Sequence, residues 1–533
     1  MDIFTFPLSG LLLMCLLPRH STPLERQYCL QCDKNSFCDC SDEQLARIPN
    51  VPENALGLNL SFNHIEIITE RDLEEHAQLK TLYLQNNLIK IIHERAFASL
   101  SNLERLDLSY NRLADLSSSW FDQLFSLQHL NLLGNSYRRL GSGYLFNKLV
   151  RLRSLWFGNP LFYAMSKNDL VGLGELDEMV VHGSDLRQYE EGSLCRIRPD
   201  GSLTLSLHGP FQREPALVSK ILRDVSSPET LLVFTDISIG DNRTTQPFIE
   251  ARRKGATRIF FRNVSATDEA INNFLLAMDN APLSFFGIED LLFFGHGYWE
   301  KVKTTRYDKL ETLYFKNIAI QDFYAFSYLG YLQNILQFPK NMSIINSNVF
   351  LMPCPTSKLL KKLEYLDFTG NLLTDLAMKE SMCDGHGTLL KLRSLNVSKN
   401  ALTSLALMSQ LVTNLNQLVS LDLSQNVFSV MPAVCTWPKS LQYLNLSMAN
   451  LRKITACLPK SLHVLDLSDN DLTMFDIQLP SLKELHISGN KFMSLPPGRW
   501  FKSLELLLIQ RNTLSMFGMS DLKEYKNLQN LEA

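Results

Sequence analysis

The run Leu103-Glu-Arg-Leu-Asp-Leu-Ser-Tyr-Asn111 constrains this chain more than any other feature. Leucines stand at offsets 0, 3 and 5 from Leu103, and an asparagine closes the run at offset 8. The middle of the run alternates, so Leu106 and Leu108 point to one side of a short strand and Asp107 and Ser109 to the other. One such unit cannot bury its leucines alone; it must stack on copies of itself. The asparagine amide carries an acceptor and two donors, which can satisfy backbone groups of neighbouring turns that short strands leave unpaired.

The copies are present. Starts at Leu79, Leu103, Leu127 and Leu152 are followed, much later, by Leu363, Leu392, Leu418, Leu441, Leu462, Leu482 and Leu504. This is the leucine-rich repeat pattern. It predicts an α/β solenoid, a horseshoe with a parallel sheet on the concave side and helical or irregular turns on the convex side. Asparagines 63, 87, 111, 135 and 159 recur evenly, and 371, 400, 426, 450, 470, 490 and 512 form a second series, so both blocks are expected to carry a continuous amide ladder. The chain divides into a leader (1–20), a cysteine-rich N-terminal cap (21–54), regular repeats (55–160), an irregular centre (161–362) and regular repeats again (363–533). In the centre the closing asparagine gives way to Gly183, Gly209, Gly295 or another residue. Losing it removes tethers between turns, so a groove or cavity is cheapest to open there, at the 315–354 end.

Formal charge is −3, which gives no global basic field to draw nucleic acid, and none is expected as a partner. An apolar stretch from Ile3 to Leu17, ended by Pro18, reads as a secretory signal peptide, although Asp2 stands where a basic residue is usual. No later window is apolar and long enough to cross a bilayer. The expected location is the secretory pathway and the extracellular side of the plasma membrane. The chain stops at Ala533 inside a repeat, YKNLQNLEA, and reads as a fragment whose native form continues.

Export suits the cysteines to disulfides. Cys29, Cys32, Cys38 and Cys40 would make two bridges in the cap, with three pairings open; a zinc site is the disfavoured alternative. Cys354 with Cys383 and Cys435 with Cys457 lie about one repeat apart, where stacking brings them near. Cys195 has no mate and is expected to be a buried free thiol. Six Asn-x-Ser/Thr acceptors occur at Asn59, Asn242, Asn263, Asn341, Asn396 and Asn445; glycans on Asn59, Asn396 and Asn445 would encumber the concave face. No G-x-S-x-G, P-loop, G-x-G-x-x-G after a strand or H-E-x-x-H occurs, so no enzyme activity, cofactor or metal is expected; His296 between two glycines reads as a turn residue.

Thirteen of the 31 phenylalanines lie between Phe248 and Phe350. Most are expected to fill the core. The cluster Phe323, Tyr324, Phe326, Tyr328 and Leu329, with the apolar run Val349-Phe-Leu-Met-Pro353 one repeat later, could line a mouth for a greasy ligand.

The stretches LSSSWFDQLFSLQHLNLLGNSYRRLG (116–141), FYAFSYL (323–329), VFLMPCP (349–355) and VCTWPKSLQYLNLS (434–447) resemble the extracellular domain of a Toll-like receptor of the lipopeptide-sensing kind. The resemblance implies a pattern-recognition receptor of innate immunity, with a convex-side pocket for acyl chains at the border of the central and C-terminal portions. It places Phe323, Tyr324, Phe326 and Leu329 at the pocket rim, and Val349, Phe350, Leu351 and Pro353 in the adjoining wall. Phe315, Ile320 and Phe293 fall in the interior. It also implies bridges Cys354–Cys383 and Cys435–Cys457. The partners it implies are a bacterial lipopeptide or other acylated ligand, and a related receptor of the Toll-like receptor 1 or 6 kind or a second copy. Ser327 and Tyr328 depart from the aromatic-then-acidic order of that rim. The competing reading is an adhesion or matrix protein, or a soluble decoy, that binds a protein ligand.

Overall fold

The computed structural model describes residues 29, 32–141, 144–295, 306–320, 332–515 and 518–533. Within them the leucine runs form strands of three residues, such as Thr81–Tyr83, Arg105–Asp107 and His129–Asn131, each paired in parallel with the next. One parallel sheet of 22 strands results, running from Phe37–Asp39 to Asn530–Glu532. Leucines at offsets 0, 3 and 5 are buried along its length. The convex side is built of turns and short helices. Pro215–Val225 buries Leu217, Val218, Ile221 and Leu222, the spacing of one helical face. Asp268–Ala277 is capped by the Thr267 hydroxyl, which accepts from the Ala270 amide. Among the described residues no helix is long and apolar enough to cross a membrane.

Three-residue strands leave interior peptide groups open, and asparagine closes them. Asn111 Nδ2 donates to the carbonyls of Leu84 (2.9 Å) and Leu108 (3.0 Å), while its Oδ1 accepts from the Ile89 amide at 3.0 Å. Asn63, Asn87 and Asn135 repeat the arrangement, and Asn63 also ties in the cap through the Cys40 carbonyl and the Leu45 amide. The residue before each asparagine is left-handed: φ is 57° at Phe62, 56° at Asn86 and 52° at Tyr110.

The ladder departs from the expected one in two places. Asn159 comes one residue early in its repeat and donates instead to the Tyr137 carbonyl at 2.7 Å. The buried Tyr137 hydroxyl takes over the tether, donating to the Leu132 carbonyl (3.0 Å) and accepting from the Gly158 amide (2.7 Å). Burial pushes the Tyr137 phenol above its ordinary range, which keeps the donor proton in place. In the second block the rung falls on Ala449, and Asn450 is exposed with φ 58°. The ladder is therefore interrupted at that repeat and resumes at Asn470, whose Oδ1 accepts from the Ala449 and Leu451 amides.

The centre uses another solution. The strands Arg258–Thr267, Phe285–Phe294 and Thr312–Ile320 are ten, ten and nine residues long. Each is bent at a left-handed Asn or Asp: Asn263 (50°), Asp290 (56°) and Asn317 (53°). Pairing resumes past the bend, with Arg262 opposite Glu289 and then Val264 opposite Leu291. The position of the asparagine rung is held by Val264, Leu291 and Ile318, and not by a glycine. The bends make a ladder of their own, since Asn263 Nδ2 donates to Asp236 Oδ1 (2.6 Å) and Asn317 Nδ2 to Asp290 Oδ1 (2.7 Å). Inter-turn tethers are thus moved onto the strand backbone rather than lost.

Phenylalanines pack end to end through this region. Ring centroids run from Phe211 to Phe248 (5.9 Å), Phe274 (5.1 Å), Phe286 (5.3 Å) and Phe315 (6.1 Å). The cap bridges are Cys29–Cys40 and Cys32–Cys38, and Cys354–Cys383 and Cys435–Cys457 join adjacent turns. Cys195 is free but exposed, contrary to its expected burial: it follows a turn, with Sγ donating to the Gly192 carbonyl at 3.1 Å.

On the concave side His486 Nδ1 lies 3.8 Å from Asp466 Oδ2, and its Nε2 lies 3.8 Å from Glu484 Oε2. The interaction with Asp466 holds the imidazole above its ordinary value despite burial. Because the folded value is raised, this stabilisation is complete below about pH 6.5, the unfolded value, and fades as pH rises through the folded one. Burial holds His76, His129 and His182 below their ordinary value, which acts with the opposite sign in both proteins. The urea-midpoint advantage of the unaltered protein over His486→Gln should therefore shrink as pH rises from 5 to 8; a constant difference refutes it.

The two asparagine positions give a sharper contrast. Asn111→Ala leaves buried peptide groups without partners and should cost about 3 kcal/mol. Asn450→Ala loses no buried partner and should cost only about 1 kcal/mol, the strain of alanine in the left-handed region. Denaturant unfolding of both variants checks the pair, and equal losses would refute the reassigned rung.

Candidate functional site

Beside Leu291 and Ile318, two of the positions where hydrocarbon replaces the asparagine rung, the interior is hollow. A cavity of about 200 Å³ lies between the strands and the convex turns, and its accessible wall is wholly apolar. The strand Phe285–Phe294 supplies Phe286, Ile288, Leu291 and Phe293; Thr312–Ile320 supplies Leu313, Phe315 and Ile318; Asn341–Ile345 supplies Met342 and Ile344. The bends decide these positions. Alternation places 286 and 288 inward, Asp290 shifts the phase by one residue, and 291 and 293 face inward again. Ile271 and Leu275 of the helix Asp268–Ala277 close one side, and Leu332, Ile335, Leu336, Val349 and Met352 close another. Phe315, Ile318 and Ile344 point inward yet are only half-buried, because they border the void.

The far wall hangs from the first asparagine of the second ladder. Asn371 Oδ1 accepts from the Ser347 and Val349 amides, both at 3.0 Å, and its Nδ2 donates to Ile344 (2.6 Å) and Phe368 (2.9 Å). The Cys354–Cys383 bridge anchors the turn that carries Met352 and Thr356. The Ser347 hydroxyl is turned onto backbone, donating to the Ile345 carbonyl at 2.8 Å and accepting from the Ile318 amide at 3.2 Å. The Tyr307 hydroxyl donates to the Leu275 carbonyl.

This chemistry is narrow. Among the described residues no carboxylate, imidazole, amine or guanidinium lines the cavity, so this wall can neither move a proton nor hold a charge. Among the described residues no group of three His, Cys, Asp or Glu side chains could hold a metal ion. Water inside would lose hydrogen bonds without replacement; an engineered apolar cavity of about 150 Å³ stays dry and binds benzene. The arrangement suits apolar matter.

Of the residues expected at a pocket, Phe293, Phe315 and Val349 line the cavity. Phe350, Leu351 and Pro353 are half-buried and do not line it. Ile320 ends its strand opposite Phe293, and its side chain is outside the described part. Phe323, Tyr324, Phe326, Ser327, Tyr328 and Leu329 also lie outside the described residues, as do His296 and the leader. Most of the wall went unnamed in the sequence reading. Its signal was present as Leu283-x-x-Phe-x-Ile-x-x-Leu291 and Leu310-x-x-Leu-x-Phe-x-x-Ile318, repeats with an aliphatic residue in the asparagine position.

Asn59, Asn396 and Asn445 end concave strands and are half-buried; Asn59 Nδ2 donates to Asp39 (2.9 Å) and Asn445 Nδ2 to Asp422 (3.1 Å). Asn242 opens the helix Asn242–Thr245, Asn263 forms a strand bend, and Asn341 begins its strand, all three exposed.

The leucine rich repeat family model matches residues 77–136. Toll-like receptor 2 of Homo sapiens is 40% identical over 513 residues, and Toll-like receptor 2 type-2 of Gallus gallus 35% identical over 511. Each alignment covers 95% of this chain, which spans 64% of the relative's length. Among solved structures, the mouse RP105/MD-1 complex superposes with a TM-score of 0.62 at 17% identity, covering 95% of this chain and 91% of that one. A TLR13–ssRNA13 complex gives 0.53 at 18% identity, covering 93% and 84%. These two share the fold. With 35–40% identity sustained along 95% of its length to Toll-like receptor 2 proteins of birds and primates, the chain belongs to the Toll-like receptor family.

Proposed function

We propose that this chain is the ligand-binding ectodomain of a pattern-recognition receptor, that it acts on the extracellular side of the plasma membrane, and that its cavity takes acyl chains of a microbial lipopeptide or similar acylated ligand. The loaded ectodomain would then pair with a Toll-like receptor 1- or 6-like partner, or with a second copy, to signal. The observation that carries this reading is the hollow of about 200 Å³ with an apolar accessible wall at the border of the central and C-terminal repeats. Each methylene moved from water into such a wall contributes about 0.8 kcal/mol before ordering and association costs. A hydrocarbon tail can therefore anchor here without polar contacts, while its headgroup stays in water. Among the described residues the one titratable side chain of the wall is Tyr307, whose phenol is pushed up by burial and donates to the Leu275 carbonyl, which fits recognition without turnover.

Filling the hollow from the protein side tests the proposal. Ile344→Trp places a large ring in the void, and should lower affinity for a synthetic acylated lipopeptide at least tenfold in calorimetry while circular dichroism is unchanged. Leu376→Ser, at a side chain 79% exposed on the convex surface, should leave affinity intact. Full affinity in Ile344→Trp would place the tail elsewhere and end the proposal.

A further inference from the structure

The aromatic file through the centre stops at a defined point. Phe248, Phe261 and Phe274 fill the core on the N-terminal side and do not line the cavity, whereas Phe286 does. Phe286 is stacked on Phe274 with centroids 5.3 Å apart and planes at 22°, and stands edge-on to Phe261 at 6.2 Å. Its other side meets Phe315 at 6.1 Å. A ring braced by two rings behind it cannot retreat into a core packed at crystal density. Beyond it the next strands present Leu313, Met342 and Ile344 towards the void, while Ile271 and Leu275 close the convex side next to Phe286.

Resting on the reading that the cavity holds hydrocarbon, we infer that Phe286 is a chain-length stop, and that the cavity admits one straight alkyl chain with on the order of eight carbons buried, scaled from the benzene-sized cavity of about 150 Å³. Carbons beyond that number remain outside and add little. Among the described residues the polar side chains of the wall are Tyr307, Ser347 and Thr356, and none turns a polar atom to the void, so length is the property it can measure.

The test is a calorimetric series of straight 1-alkanols from four to twelve carbons on the intact protein and on Phe286→Leu and Phe286→Ala. Affinity for the unaltered protein should rise roughly fourfold per methylene to about eight carbons and then level, with one alkanol bound. In Phe286→Ala the break should move out by at least two carbons; Phe286→Leu, which keeps most of the core volume, should move it less and serves if the alanine variant does not fold. A rise that continues through twelve carbons, or two alkanols bound, overturns the single-chain limit while the cavity reading stands. A break that neither variant shifts overturns the role of Phe286. No binding at any length removes the cavity reading itself.

Discussion

Every turn of this coil must satisfy the peptide groups that its strand leaves facing inward, because a buried unpaired carbonyl or amide costs about 1–3 kcal/mol. The molecule does so mainly in two ways, with the Tyr137 hydroxyl standing in at one turn, and the two have opposite consequences for what fills the interior. Where strands are three residues long, an asparagine amide reaches in and bridges the Leu84 and Leu108 carbonyls, as Asn111 does. Where strands run to nine or ten residues, backbone pairs with backbone beyond the bend, and the interior position is released to hydrocarbon. Leu291 and Ile318 stand there, and both face the void. How hydrogen bonds are closed thus makes the interior apolar here, filled by phenylalanine rings beside Val264 and left open beside Leu291 and Ile318.

The left-handed bends make the longer strands possible. A bend costs little at Asn or Asp, whose short polar side chains visit that conformation readily. Asn263 and Asn317 then donate to the carboxylates of Asp236 and Asp290 one turn back. Beside them Glu289 accepts from Arg262 at 3.3 Å and from Lys316 at 2.7 Å. These exposed ties contribute modestly to stability, but they fix the stagger of the strands and hence the phase change that turns residues 291 and 293 inward.

Much of this was legible beforehand, and the misses have physical causes. Leucine spacing gave the horseshoe and its parallel sheet, and a cavity was anticipated where the asparagines thin out. The ladder was misread at two positions because spacing in the sequence is not register in the stack: the run from Leu441 puts Ala449 on the rung, and the run from Leu152 reaches its asparagine a residue early. The rung that a closing glycine at Gly295 would imply is held by Leu291, eight residues after Leu283. Cys195 was assigned to the core for want of a mate, although it follows an exposed turn. Most of the convex side of the cavity was not legible, Val349 excepted. Ile271, Leu275 and Leu336 come from helices whose approach to the strands depends on the shape of the coil, which no local pattern records.

A void of this size is expensive. At about 24 cal/mol per Å³, some 200 Å³ costs on the order of 5 kcal/mol relative to a filled core. A compact domain of ordinary stability would feel that throughout, but a solenoid's stability is a sum over adjacent turns, so the deficit stays in the turns that border the hollow. Those turns are braced on both sides. The aromatic file ends against one wall at Phe286, and Asn371 with the Cys354–Cys383 bridge holds the other. Filling the space returns dispersion contacts to Phe315, Ile318 and Ile344 that the empty state forgoes. A hydrocarbon guest would therefore stabilise the weakest stretch of the coil by the same interactions that bind it, which makes occupancy and the rigidity of the neighbouring convex turns one property.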